Sequence, residues 1–253
     1  MNFDFNVTWI TAVLLCSLRL SALLLLTPIL QALGLPVRIR VLLILILSVS
    51  LVSGMHLAPA AVPADLPALL AAGVNEVMVG ALMSFGVFVA FAAFSFAGNA
   101  LDLQMGFSIA NIFDPITHSQ SPLIATLFGM VAVVLFFTME AHHTLLRGVA
   151  YSLERIPLGA AMAPPVPAVL AREFGSVFTL GLMLAAPPLF CLFLVELCLA
   201  VLSRNLPQMN IFMLSAPLKI AIGLLILATV AGHFGAVATK VFAGIFTFWE
   251  GVL

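Results

Sequence analysis

Six stretches of nearly unbroken apolar sequence dominate this chain, at residues 7–30, 37–57, 69–96, 123–139, 174–202 and 214–249. A helix of about 20 apolar residues crosses a bilayer's hydrocarbon core, so these runs constrain the fold more than any single motif. Their apolar residues are continuous, whereas barrel strands alternate over about 10 residues, so the runs predict helices. Hydrophobic residues make up 64% of the 253 and charged residues 8%, against about 45–50% and about 25% in soluble domains. No stretch has the mixed polar surface of a soluble domain. The expected fold class is an all-α membrane protein built of long helical hairpins. Nine Lys and Arg against ten Asp and Glu give a net charge of −1, which supplies no basic field for nucleic acid.

Punctuation residues divide the runs. Ser121-Pro122 reads as an N-cap followed by proline at the first helical position. The stretch Met162-Ala-Pro-Pro-Val-Pro-Ala168 cannot be helix interior and separates an N-terminal portion, 1–168, from a C-terminal hairpin, 169–253. The last run is long enough to bend or break near Gly232-His233-Phe234-Gly235. Met1-Asn-Phe-Asp-Phe lacks the basic region of a signal peptide, so the first run is expected to be a retained helix. Cys16, Cys191 and Cys198 sit inside apolar runs without ligand spacing and read as small buried side chains.

Loop charges give a mixed orientation. Arg38 and Arg40 place the first connection in the cytoplasm, and the connection at 58–67 carries no Lys or Arg. If every later run crosses once, the 141–173 connection with Arg147, Arg155 and Arg172 falls outside, while the 98–121 connection without Lys or Arg falls inside. That inversion implies either a re-entrant hairpin or helices that do not sit in lipid as simple spanning rods.

Arg19, Glu76, Glu196 and Lys219 are charges within apolar runs, where an ionised group costs about 2.5–3.5 kcal/mol on insertion scales. Each requires a partner or water. They read either as structural or assembly ion pairs, with Lys219 also suited to snorkelling, or as a proton or ion relay. Small residues four apart, Gly80/Ser84 and Ala228/Gly232/Ala236, allow close helix packing. Phe85, Phe88, Phe91 and Phe94 spread over half a helix and form a greasy surface. Glu140, His142 and His143 suggest a metal or an intramembrane enzyme, but lack HExxH spacing and a nearby third ligand. Walker, GxSxG and GxGxxG motifs are absent from the sequence, and no cofactor or catalysis is expected.

Two segments look unlike packing. Residues 98–121 keep Leu103, Met105, Phe107, Ile109, Ile112 and Phe113 among glycine and polar residues, as in a buried re-entrant loop or a movable loop that closes a passage. Residues 204–219 contain Arg204, Pro207, Gln208, Asn210, Pro217 and Lys219 and predict a turn with charged ends, Pro217 opening the next helix.

The motifs Asn75-Glu-Val-Met-Val-Gly80, Ala97-Gly-x-x-x-Asp-x-Gln-Met-Gly106 with Asp114-Pro115, Ser152-x-x-x-x-Pro-Leu-Gly159, and Arg204-Asn-x-Pro-Gln-Met-Asn-x-Phe212 with Pro217-Leu-Lys219 together resemble the FliR family and its injectisome counterpart SctT. Arg19, Pro28, Pro36 and Arg38 in order extend the similarity over nearly the whole chain, while Asn99 stands where the family often has glutamate. The resemblance implies an inner-membrane export-gate subunit of the flagellar type III secretion apparatus. It implies a FliP-like portion fused to a FliQ-like hairpin, assembly with FliP and FliQ beside FlhB and FlhA, contact with membrane lipid, and passage of unfolded polypeptides. It also implies that Met105, Phe107, Ile109, Ile112, Phe113, Asp114 and Pro115 belong to a pore-closing loop, and that Arg19, Glu76, Asp102, Gln104, Glu196, Arg204, Pro207, Gln208, Asn210 and Lys219 serve assembly. The competing readings are an injectisome homologue and a stand-alone secondary transporter with Glu76, Glu196 and Lys219 as relay.

Overall fold

The computed structural model describes residues 7–32, 34–59, 63, 65–107, 122–162, 166–205 and 211–253. Among the described residues the regular structure is helical: α1 (Val7–Leu26), α2 (Pro28–Ala32), α3 (Val37–Gly54), α4 (Leu66–Met105), α5 (Leu123–Thr138), α6 (Ala141–Arg155), α7 (Pro167–Asn205), α8 (Ile211–Val230) and α9 (Phe234–Val252), with a 3-10 turn at Ala231–His233 between the last two. Among the described residues five helical stretches are long and apolar enough to cross a bilayer: α1, α3, α4, α7 and Ser215–Val252. The run at 123–139 is instead the first half of a bent pair, which makes a sixth span only if the two halves are counted as one. At 16 residues α5 is short for a span, and the chain turns by 72° into α6 at a break where Glu140 takes a left-handed conformation (φ 55).

Several helices differ from the sequence expectation. The 98–121 connection begins later, because 98–105 continue α4. Leu101 and Met105, one turn apart, are both fully buried and hold those turns against their neighbours. Much of the 141–173 connection is the amphipathic helix α6, with Ala141, Leu145, Gly148, Val149, Ser152 and Leu153 on its buried face. Pro167 stands at the first position of α7, where it forfeits no hydrogen bond. Pro217 lies inside α8 rather than opening it, and α7 carries Pro187 and Pro188 internally. Proline in such helices is accommodated where neighbouring groups re-satisfy the freed carbonyls.

The chain packs as two compact units that interleave its segments: Met1–Val89 with Phe136–Glu173 and Phe242–Leu253, and Ala90–Leu135 with Phe174–Val241. In the first, α3 packs on α1, and Gly80 of α4 lies so close to α1 that a Cβ would strike the Arg19 carbonyl and Ala22. The C-terminal turn closes this unit. Trp249 approaches Gly148 so closely that a Cβ there would strike its ring, and it donates from Nε1 to the Met83 carbonyl at 3.0 Å, while the Phe248 ring meets Phe85 at 5.9 Å. In the second unit, edge-to-face pairs Phe96–Phe178 (5.2 Å) and Phe128–Phe234 (5.3 Å) fill the space between helices.

Candidate functional site

The intramembrane charges fall into separate clusters. The first is closed. Arg19, near the middle of α1, is 1% exposed, and its Nε donates to Glu76 Oε2 of α4 at 2.6 Å. Nη1 reaches the Ser152 carbonyl (3.0 Å) and hydroxyl (3.2 Å), and Nη2 reaches the Ile156 carbonyl (2.9 Å). Those carbonyls lie at the C-terminal end of α6, where the helix concentrates partial negative charge, and the Ser152 carbonyl also accepts the Ile156 amide at 2.9 Å. The other oxygen of Glu76 accepts from the Gly159 amide at 2.7 Å. Gly159 itself has φ +79, a left-handed conformation that suits glycine. The motif Ser152-x-x-x-x-Pro-Leu-Gly159 is therefore the receptor for the Arg19–Glu76 pair, and every partner is a fixed helix-end or loop group. This is a clamp joining α1, α4 and α6.

A second cluster explains the motif around Asp102. Gly98 of α4 lies against the Ala125 backbone so closely that a Cβ would overlap it. One turn later the Asp102 carboxylate, 2% exposed, accepts the Ile124 amide through Oδ1 (3.0 Å) and the Ala125 amide through Oδ2 (2.9 Å). Pro122 immediately precedes α5 and has no side-chain acceptor, so the first amides of α5 are capped from α4. Ser121, the cap expected from sequence, lies outside the described residues. Met105, another turn on, presses its thioether against Gly223 of α8. Gly98, Asp102 and Met105 thus occupy one contact face at spacings of four and three.

The third cluster is open. Glu196 of α7 is 53% exposed, yet its oxygens engage Gln104 Nε2 (2.9 Å) and Lys219 Nζ (3.3 Å). Around it α7 exposes Phe190, Phe193, Leu194, Leu197 and Val201. Lys219 is mostly covered. Arg204 is exposed at the last turn of α7. Phe107 is partly exposed. Ile109, Ile112, Phe113, Asp114, Pro115, Pro207, Gln208 and Asn210 lie outside the described residues.

Of the remaining candidates, His142 lies between the rings of Phe137 (5.4 Å) and His143 (4.2 Å) at the bend, with its Nδ1 buried and unpartnered. Among the described residues no three potential ligands come together to hold a metal. Phe94 is buried whereas Phe88 is exposed, so the phenylalanine row is divided between core and surface. Sequence reasoning missed the Trp249–Gly148 contact and the capping role of Asp102. The available signal was a lone tryptophan near the chain end, and an acidic residue one turn after a glycine.

Comparison with known proteins gives these motifs a common setting. Residues 10–245 match the model of the family described as bacterial export proteins, family 1. The flagellar biosynthetic protein FliR of Escherichia coli K12 is 28% identical over 251 residues, 97% of this chain and 94% of that protein. FliR of Bacillus subtilis 168 is 35% identical over 173 residues, 67% of each chain. The Yop proteins translocation protein T of Yersinia pestis is 31% identical over 157 residues, 60% of each. The match runs through all three charged clusters and both helical units, and the chain belongs to the family of bacterial export proteins, family 1.

Proposed function

We propose that this chain is the export-gate subunit of a flagellar type III secretion apparatus in the bacterial inner membrane, where it helps pass unfolded flagellar proteins across. The observation that carries this reading is the near end-to-end similarity to a flagellar biosynthetic protein, combined with five membrane-length apolar helices. Supporting it is the character of the charges. The buried Arg19–Glu76 pair is enclosed by helix-end carbonyls and a backbone amide, as a structural clamp requires, and its hydrogen bonds run on to no string of further titratable side chains. The relay of a stand-alone transporter would need such a string.

FliP and FliQ are the proposed partners, with FlhB and FlhA as neighbours. In this reading residues 1–168 correspond to a FliP-like portion and 169–253 to a FliQ-like hairpin. The segment from Met105 to Pro115 closes the resting passage with Phe107, Ile109, Ile112 and Phe113, apolar groups that hold back ions by excluding water. Gln104, Glu196, Arg204, Pro207, Gln208, Asn210 and Lys219 serve assembly. Similarity to the Yop translocation protein favours a second reading, an injectisome counterpart doing the same work in another apparatus.

The test is deletion of the chain in its own cells and complementation. Flagellar export and motility should be lost and then restored, and affinity-tagged chain should bring down FliP and FliQ. Intact motility with loss of effector secretion would move the assignment to the injectisome. Removing residues 107–113 should raise ion leakage through the membrane without reducing co-purification; wild-type permeability would end the closing role.

A further inference from the structure

Helix α3 leaves most of its surface uncovered, as does the last membrane-length stretch, Ser215–Val252. Along its 18 residues only Ile44, Ser48 and Val52 are buried, a stripe one residue wide at spacings of four. The Ser48 hydroxyl donates to the Ile44 carbonyl at 2.7 Å and also meets Cys16 of α1. Leu43, Leu47 and Leu51 beside that stripe are half-buried, and the rest is open, with Leu42 58% and Ile46 67% exposed and Val41, Leu45 and Val49 exposed around them. No charged residue follows Arg40 in the helix, and the exposed Ser50 and Ser53 lie toward its far end. Eighteen residues rise about 27 Å, close to the roughly 30 Å of a bilayer's hydrocarbon core.

The two ends are polar in different ways. Arg38 is exposed in the first turn, and the half-buried Arg40 donates from Nε to the Leu35 carbonyl at 2.8 Å. At the other end the chain leaves the helix through Met55 and the exposed His56. The exposed face of α7 is unlike this. It carries the half-exposed carboxylate of Glu196 among its apolar groups, and acyl chains are a poor solvent for that group.

We infer that α3 is a lipid-facing helix of this protein, with its open faces against acyl chains and Arg38 and Arg40 holding the phosphates of anionic phospholipids. An open surface free of charge beyond Arg40, a length matched to the hydrocarbon core and paired cations at one boundary together select lipid over a protein neighbour. Charge complementarity selects the anionic headgroup.

Tryptophan quenching by brominated acyl chains tests this on the full-length chain. I46W and F193W are made with both native tryptophans in place, and the wild-type signal is subtracted. Each is reconstituted in bilayers of brominated phosphatidylglycerol or phosphatidylcholine, alone and as the complex co-purified from cells. Trp at 46 should lose most of its emission in both preparations. Quenching should favour phosphatidylglycerol, and that preference should fall about fivefold for each of R38Q and R40Q. An unquenched I46W in the complex would mean that protein covers α3 and would overturn the inference. Quenching without preference between the two lipids, or a preference unchanged by R38Q/R40Q, would overturn the headgroup contact. The F193W arm reports separately on the export-gate reading: it should be quenched in the isolated chain and protected in the complex. Failure of that arm counts against the assembly and leaves the α3 result standing.

Discussion

Replacing Arg19 by methionine tests the clamp most directly. The change keeps an unbranched apolar stem but removes the guanidinium and with it the donors to Glu76, Ser152 and Ile156. Glu76 then keeps only the Gly159 amide as partner and stays 1% exposed. Breaking a buried pair from one side costs about 3–5 kcal/mol, because the surviving charge has neither counterion nor water. E76Q attacks from the other side: its amide can still accept from Gly159, but Arg19 is left with carbonyls and a hydroxyl and no counterion. A similar cost follows. In R19M/E76Q neither charge remains, and the Ser152 carbonyl still takes the Ile156 amide at 2.9 Å. The double variant should therefore be less destabilised than the sum of the singles by about 2–3 kcal/mol. The assay is reversible unfolding in detergent micelles, by heat and by titration with a denaturing detergent. At about 2–4 °C per kcal/mol for a chain of this size, each single variant should melt about 6–20 °C lower. Additive costs, or singles below about 1 kcal/mol, would show that the pair is not the closed clamp the distances describe. Export by R19M/E76Q separates the roles: a folded, assembled and active double variant excludes a relay through these groups, and a folded, assembled but inactive one restores it.

Other expectations follow from the same geometry. D102A strips the acceptor from the first amides of α5 and should cost about 1–2 kcal/mol, with faster hydrogen exchange at residues 123–126; D102N, which keeps one carbonyl oxygen, should recover part of both effects. W249F loses the hydrogen bond to the Met83 carbonyl but keeps a ring against Gly148, and should cost about 1 kcal/mol. W249A removes the packing as well and should cost about 3–5 kcal/mol, read as the difference in unfolding midpoint between the two variants.

The helical class was legible because the apolar runs are continuous, and the intramembrane charges were legible as groups in need of partners. Their pairing was not. Arg19 meets Glu76 from 57 residues away and the end of α6 from 133 and 137 residues away, distances at which periodicity carries no information. The end of α4 was misread for a related reason. Gly98, Asn99 and Asp102 are weak helix formers, so local propensity predicts a connection; the helix continues because Gly98 fits against Ala125 and Asp102 finds the amides of α5. Helix α6 was hidden inside a presumed loop by its length and polarity. Arg147 and Arg155 entered only as loop charges that orient the chain, while the buried face from Ala141 to Leu153 is visible only when the stretch is read at helical period. The 123–139 run is too short to cross as one straight helix and reaches the length of a span only together with α6 across the bend at Glu140.

The glycines divide into two kinds that composition cannot distinguish. At Gly80, Gly98 and Gly148 a Cβ would collide with the Arg19 carbonyl, the Ala125 backbone and the Trp249 ring, so the missing side chain is what lets the neighbouring segments meet. At Gly129 and Gly175 nothing lies within 4 Å of the Cβ position. Both stand inside helices, where glycine is about 0.5–1 kcal/mol worse than alanine. The same substitution should therefore change sign with position. G129A and G175A should raise the unfolding midpoint of the isolated chain, by up to about 1 kcal/mol each. G80A should lower it, because the obstructing atoms are α1 backbone and a neighbouring Cβ rather than the end of a flexible side chain. G80A should also weaken the clamp, since Glu76 sits one turn away on the same face of α4 and depends on α1 approaching to this distance. A double-mutant cycle of G80A with R19M/E76Q checks that link. If helix approach and charge pairing are one device, losing the second makes the first less costly; strict additivity would make close packing and the ion pair independent properties of α4.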